Sequence, residues 1–305
     1  MWNRATFPKQ WVWLGLTALL MGCAAQPTPF AQQTQRINDI SLQGEQWFSQ
    51  GNLKRATHDF SRALTLSRSV DYPQGAAQQL NNLGAVALEQ GNFPQARDLF
   101  TQAYNLNYAN KEWVAASINQ ANLASVAQKL DNPASAARHL SAAQSAAQLS
   151  QSRPALARVY LQWASFYLDE NDPATAANFL DWARPIATTW ELKATLAHHR
   201  GRLALARGDT GQSLKHFQQA LHIDRAILDR SSMASDLFFL AQVEQTRGNL
   251  PVAWSYYVRA FDVFAGLGQR PQMLRCLKKL QEVNHQGQLG HSLERFKKLT
   301  QPKTS

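Results

Sequence analysis

The chain has 305 residues, with 31 Lys and Arg against 21 Asp and Glu, a net charge of +10. Its only cysteines, Cys23 and Cys276, exclude a disulfide-stapled scaffold. The charge is uneven: residues 270–305 hold eight basic and two acidic side chains, so the chain ends in a strongly basic segment.

At the start, Arg4 and Lys9 precede a short apolar stretch, Trp11 to Leu20, too short to span a bilayer as a mature helix. It ends in Leu20-Met21-Gly22-Cys23, which resembles the bacterial lipobox, although Met21 is bulkier than the small residue usual there. The resemblance implies a signal peptide over residues 1–22 and lipidation of Cys23 by diacyl and N-acyl chains (palmitate among them). Several chains, each contributing ~0.8 kcal/mol per buried CH₂, suffice for stable anchoring. An ordinary secretory signal with an incidental Cys is the alternative. Ala24 after the Cys implies, by the lipoprotein sorting rule, the outer membrane of a two-membrane cell, facing the periplasm. Cys23 and residues 24–35, uncharged and without apolar periodicity, read as a tether holding the rest ~20 Å from the membrane.

From residue 36 to 266 one pattern returns six times. Gly44, Trp47, Gly51, Ala56, Phe60 and Ala63 are followed forty residues on by Gly84, Ala87, Gly91, Ala96, Phe100 and Ala103. The frame recurs at Ala124, Ala164, Gly201 and Ala241, with one short step of 37 residues before Gly201. Each unit predicts two helices. In the second, Leu80, Leu83, Gly84, Ala87 and Leu88 share one helical face, and Ala96, Leu99, Phe100, Ala103 and Tyr104 share another. Gly91-Asn92 breaks them apart, as do Gly51-Asn52, Asp131-Asn132, Asn171-Asp172, Gly208-Asp209 and Gly248-Asn249, residue types that tolerate a left-handed backbone. Pro94, Pro133, Pro173 and Pro251 fall in the first turn of the second helix, where a missing N–H costs nothing. Gly or Ala at 44, 84, 124, 164, 201 and 241 lets the paired helices approach, and the larger residue at 60, 100, 140, 180, 217 and 257 fills the space between them.

These anchors resemble the tetratricopeptide repeat: Leu-Gly or Leu-Ala (Leu83-Gly84, Leu123-Ala124, Leu240-Ala241), a turn residue, then Ala, an aromatic or Leu, and Ala. The resemblance implies an all-α, right-handed α-solenoid of about six helix pairs, whose concave groove binds other proteins. Two departures stand out. The family period is 34, so each unit carries about six extra residues, expected to lengthen the second helix and its connection. Ser213 replaces the expected Ala in the fifth unit.

The first helix of each unit is expected to line the groove. The candidate partner-binding residues are Asn81, Asn82, Asn122, Ser125, Arg158, Gln162, His198, Arg202, Phe239 and Gln242. Asn82 and Asn122 stand where related repeats use an amide to hold a peptide main chain, offering both donor and acceptor. Arg158 and Arg202 offer guanidinium forks for a carboxylate. The paired Lys and Asn residues with which some family members clamp a C-terminal carboxylate are missing: Ser41, Glu45 and Ala85 occupy those places.

Residues 267–305 predict two capping helices, Pro271–Val283 and His291–Leu299, split by Asn284–Gly290. The cap's basic patch is Arg275, Lys278, Lys279, Arg295, Lys297 and Lys298. It reads either as a solvated end face or as a dock for anionic lipid, cell-wall polymer or an acidic partner. Cys276, on one face with Met273, Leu277 and Leu280, reads as packing. No HExxH, CxxC, Walker-type loop or dinucleotide fingerprint is present, so catalytic residues, metal and cofactor are all expected to be none. His198 and His199 point about 100° apart on a helix and cannot chelate one metal as an i, i+4 pair does. The expected role is a scaffold or adaptor for an envelope protein or peptide, not for nucleic acid. The implied relatives are factors for pilus or secretin assembly and adaptors of cell-wall hydrolases.

Overall fold

A computed structural model describes residues 28–301, and within them the chain is an all-α solenoid. The six units pair α1 (Pro29–Ser49) with α2 (Leu53–Ser69), α3 (Pro73–Glu89) with α4 (Phe93–Ala109), and α5 (Trp113–Lys129) with α6 (Pro133–Leu149). They continue with α7 (Arg153–Asp169) and α8 (Pro173–Ala183), α9 (Trp190–Ala206) and α10 (Thr210–Ala226), and α11 (Arg230–Thr246) and α12 (Leu250–Gly266). The proposed signal peptide, Cys23, residues 24–27 and Lys303 lie outside the described residues.

The 40-residue period has a simpler origin than a longer second helix. Both helices of the second unit have 17 residues, and so do both of the third. The turn between units is as short as the turn within one. Extra length is therefore shared by both helices, and the backbone repeats every 20 residues. Left-handed residues fall on that grid: Gly51, Asp71, Gly91, Lys111, Asp131, Gln151 and Asn171. After the short step it resumes at Gly208, Leu228, Gly248, Gly268 and Gln288. Each break thus divides its work. Gly51 ends α1 with its N–H on the Phe48 carbonyl, and the Asn52 N–H reaches Trp47. The Asn52 side chain then caps α2 by accepting from the Arg55 N–H at 3.2 Å. Asn92, Asn132, Asp172 and Asp209 cap in the same way.

The short step is a local effect of Pro185. α8 stops after 11 residues, where Pro185 has no N–H to give to the carbonyl four residues back. Thr189 caps the next helix, accepting from the Leu192 N–H.

Gly and Phe are matched sterically. A Cβ at Gly44, Gly84 or Gly201 would fall 2.6, 2.6 or 2.8 Å from the ring of Phe60, Phe100 or Phe217. Where the small residue is Ala, at 124 and 164, the partner is Leu140 or Leu180, with no ring to collide. Tyr257 faces Ala241 and anchors its hydroxyl on Gln245 Oε1 at 3.0 Å. Ser213, the departure in the fifth unit, is fully buried and donates to the Gly201 carbonyl at 2.9 Å.

Successive first helices pack against one another (α1 on α3, α7 on α9), whereas second helices do not pack together to a similar extent. The array therefore curls with first helices inside. It curls far enough for its ends to meet: a Cβ on Gly51 would overlap the Leu267 carbonyl.

The ends depart from expectation in two places. Residues 29–35 are helical, not tether, because Thr28 caps α1 and Pro29 sits at its first position. At the other end α13 (Arg270–Gly287) runs past Asn284 to a left-handed Gln288, and α14 (Glu294–Thr300) buries Phe296 against Phe261. The cap is a seventh first helix plus a truncated second. Cys276 is fully buried, its thiol pushed up to about 12 by desolvation, as expected of a packing residue.

Candidate functional site

The inner face has two components, a row of inter-unit polar slots and a trough above part of it. The slots follow from register. At each junction one residue from a first helix, one from the next first helix and one from the end of the intervening second helix meet. Between units three and four they are Ala121, Val159 and Ala147; between four and five, Leu161, Leu196 and Ala187; between six and the cap, Phe238, Cys276 and Phe264. All nine are buried.

The other junctions are polar. Between units one and two, Ser41 donates to Gln79 at 3.1 Å. Between two and three, Asn107 donates to Asn119 at 2.7 Å, and Asn119 to Asn81 at 3.0 Å. Asn122 adds a bond to the same Asn81 oxygen at 2.9 Å. Asn81 and Asn122, expected to hold a partner's main chain, instead hold each other, because neighbouring first helices bring their amides within reach. Asn82 stands beside this ladder with a buried Nδ2 that has no partner.

Between units five and six the same three positions carry His198, Asp236 and Asp224. His198 Nδ1 lies 2.7 Å from Asp236 Oδ1. Asp236 is fully buried and Asp224 is 3% exposed. Burial drives both carboxyls well above the usual carboxylate range; the neighbouring Asp236 raises Asp224 further, whereas the hydrogen bond between them pulls Asp236 part of the way back. Burial and the nearby Arg202 depress both His198 and, with His198 itself, His199. The His198–Asp236 contact is therefore a hydrogen bond of a neutral imidazole, although its distance would also suit an ion pair. Two ionised carboxylates have no proton to share, and then Asp236 Oδ2 is left without a donor.

A trough runs over this junction along α7, α9, α11 and α13. A cavity of about 290 Å³ is lined by Arg158, Gln162 and Ser165 on one side and Glu191, Thr195 and His199 on the other. The last three also border a cavity of about 130 Å³ that reaches His198, Asp224 and Asp229. Ser235 joins that to a third, of about 200 Å³, containing Phe238, Phe239, Gln272 and Arg275. Phe239 is fixed there by stacking on Phe217, with centroids 5.2 Å apart, and by His198 edge-on at 5.1 Å.

The structure thus gathers Arg158, Gln162, His198 and Phe239 from the expected groove into one trough. Ser125 lines a separate cavity with Gln128, Asp169 and Glu170, and Gln242 is half-buried outside the trough. Arg202 is not a free fork: it donates to Asp169 at 2.6 Å and Ser165 at 3.0 Å and lies over the Phe239 ring. An i-to-i contact across adjacent first helices captured it.

The basic patch does not form as one surface. Arg275 belongs to the trough, 4.8 Å above the Phe238 ring. Lys279 pairs with Glu282 at 2.6 Å, Arg295 with Asp262, and Lys297 with Glu294 at 3.6 Å. Lys278 and Lys298 remain exposed without an ion pair among the described residues. Glu191, Thr195, Asp224, Asp229 and Ser235 were not anticipated. Asp224 and Asp236 were detectable, since aligning the junctions between units places them at positions that carry uncharged side chains elsewhere.

A tetratricopeptide-repeat family model matches residues 76–106, the second unit as far as Leu106. Among curated proteins none matches in sequence. Solved structures share the architecture at low identity. The Rap conjugation gene regulator of plasmid pLS20, in complex with the Phr* peptide, is 11% identical with a TM-score of 0.68, covering 92% of this chain and 76% of its own. RapI in its apo form is 13% identical, with a TM-score of 0.61 over 77% of this chain and 85% of its own. A Rap protein complexed with Competence and Sporulation Factor is 13% identical, with a TM-score of 0.56 over 84% and 75%. The periodic anchors, the 20-residue backbone grid and these likenesses together identify an all-α solenoid built from tetratricopeptide-like helix pairs.

Proposed function

We propose that the protein is a binding scaffold that holds a segment of another envelope protein along the α7–α13 trough, while lipid at Cys23 anchors it to the outer membrane, facing the periplasm. The observation that carries the binding role is the continuity of the trough across four first helices. It offers the guanidiniums of Arg158 and Arg275 at its flanks, an aromatic floor at Phe239 and polar side chains between. Two Rap structures of this architecture are complexes, one with the Phr* peptide and one with the Competence and Sporulation Factor, which supports a protein or peptide segment as occupant. The membrane part rests on the Leu20–Cys23 pattern. Pilus or secretin assembly and recruitment of cell-wall hydrolases are the pathways this design suits.

The test is crosslinking in cells followed by affinity purification, comparing wild type with Arg158→Glu, Gln162→Ala and Arg275→Glu combined. All three sites are at least partly exposed, so the melting temperature stays within a few degrees. Loss of a specific secretin or hydrolase supports the reading and names the pathway. An unchanged set of captured proteins refutes the trough as the binding surface. Separately, Cys23→Ser abolishes membrane fractionation if the anchor is correct.

A further inference from the structure

The two ends of the array meet at one narrow place. The turn between α1 and α2 lies against the turn between α12 and α13, where a Cβ on Gly51 would fall 1.9 Å from the Leu267 oxygen and 2.4 Å from its carbonyl carbon. In glycine a hydrogen occupies that direction, so a Cα–H of Gly51 points at the carbonyl. The residue that would donate to this carbonyl in a continuing helix is Pro271, which has no N–H. Burial marks the contact from both sides. Gly51 is half-buried, whereas Gly91, Gly208 and Gly248, at the same place in later units, are exposed. Leu267 is 5% exposed, whereas Val70, Ser150 and Ile227, which end α2, α6 and α10 in the same way, are half-buried and Asn110 is exposed. Because the helices alternate in direction, turns within units lie along one rim of the ribbon and turns between units along the other. Gly51 is of the first kind and Leu267 of the second. The contact therefore joins opposite rims, as a ribbon does on completing one superhelical turn.

We propose that the Gly51 and Leu267 turns form a latch, which holds the solenoid shut as a one-turn ring and so sets the width of its inner face. Little else ties the ends together. α1 and α2 do not pack extensively on α12 or α13, and no ion pair among the described residues joins them. The latch is a contact of two main chains, weak enough to open and close. The array also has a place to flex. Both junctions of unit four, α6 on α7 and α8 on α9, are packed less extensively than the corresponding junctions elsewhere, and α8 stops short at the second of them. Opening of the seam is absorbed there. The cavity of about 290 Å³ between α7 and α9 spans that second junction, so its width follows the state of the latch. A steric rule makes the device specific to this chain: position 51 must lack a Cβ, because the atom it would strike belongs to a backbone carbonyl that cannot rotate aside.

The latch does not depend on what the trough binds, and its test needs no partner. Spin labels on Lys54→Cys and Leu274→Cys, exposed positions on either side of the seam, report the end-to-end distance by pulsed electron resonance. The full chain carries Cys23→Ser, and the buried Cys276 stays unlabelled. Gly51→Ala is compared with Gly91→Ala and Gly248→Ala. The native φ is 77°, 76° and 81° at the three sites, so the strain of a left-handed alanine is common to all, but a Cβ at 91 or 248 meets nothing within 4 Å. Gly268→Ala is a control at the seam itself, its Cβ lying 3.7 Å from the Gly51 carbonyl oxygen in ordinary contact. The expected result is one short distance in the wild type and all three controls. Gly51→Ala shows a longer, broader distribution, with amide exchange faster by roughly twofold or more at the α6–α7 and α8–α9 junctions. A wild-type distance in Gly51→Ala overturns the latch, as does equal lengthening in Gly91→Ala. A wild type whose ends already stand apart also overturns it, which decides the matter if Gly51→Ala misfolds. A short distance that disappears when labelled protein is diluted with unlabelled protein assigns the contact to two copies and overturns the closed ring. Lengthening without faster exchange at unit four overturns the hinge.

Discussion

The pairing of Gly84 with Phe100 makes a quantitative prediction. A Cβ on residue 84 would sit 2.6 Å from the Phe100 ring edge and 3.0 Å from its tip, well inside van der Waals contact. Both residues are buried between two 17-residue helices, so neither can move far. Gly84→Ala gains about 1 kcal/mol of helix propensity but costs about 1–3 kcal/mol of overpacking. Its net effect is destabilisation of up to about 2 kcal/mol. Phe100→Leu alone leaves space unfilled and costs about 1–2 kcal/mol by the cavity scale. The double variant recreates the Ala124–Leu140 solution of the next unit, so the two losses do not add. The expected coupling is about 1–3 kcal/mol in the favourable sense. The assay is a four-member double-mutant cycle, each protein unfolded in urea and followed by circular dichroism at 222 nm. Because a repeat array need not unfold all at once, midpoints are compared only where the slopes agree. Strict additivity of the two single changes, or a clearly stabilised Gly84→Ala, refutes the steric account.

Other predictions follow from the same geometry. Leu228 has φ 59° and is 80% exposed, so Leu228→Gly relieves left-handed strain without losing packing and raises stability by about 0.5–1 kcal/mol; a lower melting temperature contradicts this. Stability depends on pH from two directions. Asp224 and Asp236 have folded pKa values above their unfolded ones, so their contribution is full in acid below about pH 4 and is lost as pH rises towards and past neutrality. His198 and His199 have depressed values, so their contribution is present above about pH 6.5 and lost as pH falls below it. Thermal melts should therefore peak near weakly acidic pH, and Asp224→Asn should flatten the alkaline limb by giving Asp236 Oδ2 an amide donor. An unchanged alkaline limb in that variant contradicts the assignment. Asn119→Ala breaks a buried amide bond to Asn107 and a partly buried one to Asn81, and costs about 2–3 kcal/mol, measurable by the same urea titration.

Much of the architecture was legible in the primary sequence. Six registered copies of a small residue, a break and a larger residue determine helix pairs, because such spacing fits only a 3.6-residue period interrupted at constant intervals. The steric partnership of positions 44, 84 and 201 with 60, 100 and 217 was visible for the same reason, as was the burial of Cys276 among apolar neighbours. The backbone grid at Lys111, Gln151 and Leu228 was not, since those residue types do not advertise a left-handed turn. They adopt it because the flanking helices leave no other path.

The working surface was decided by tertiary structure. Whether Arg202 is a free fork depends on Asp169, 33 positions away in sequence, and whether Asn122 is a peptide clamp depends on Asn81, 41 positions away. Arg275 belongs to a trough and not to a basic end because α13 continues the inner row of helices. Local periodicity specifies which face of each helix is apolar. Only the curvature of the stack sets which polar groups meet across it, and a polar side chain already satisfied by a neighbour is no longer available to a ligand.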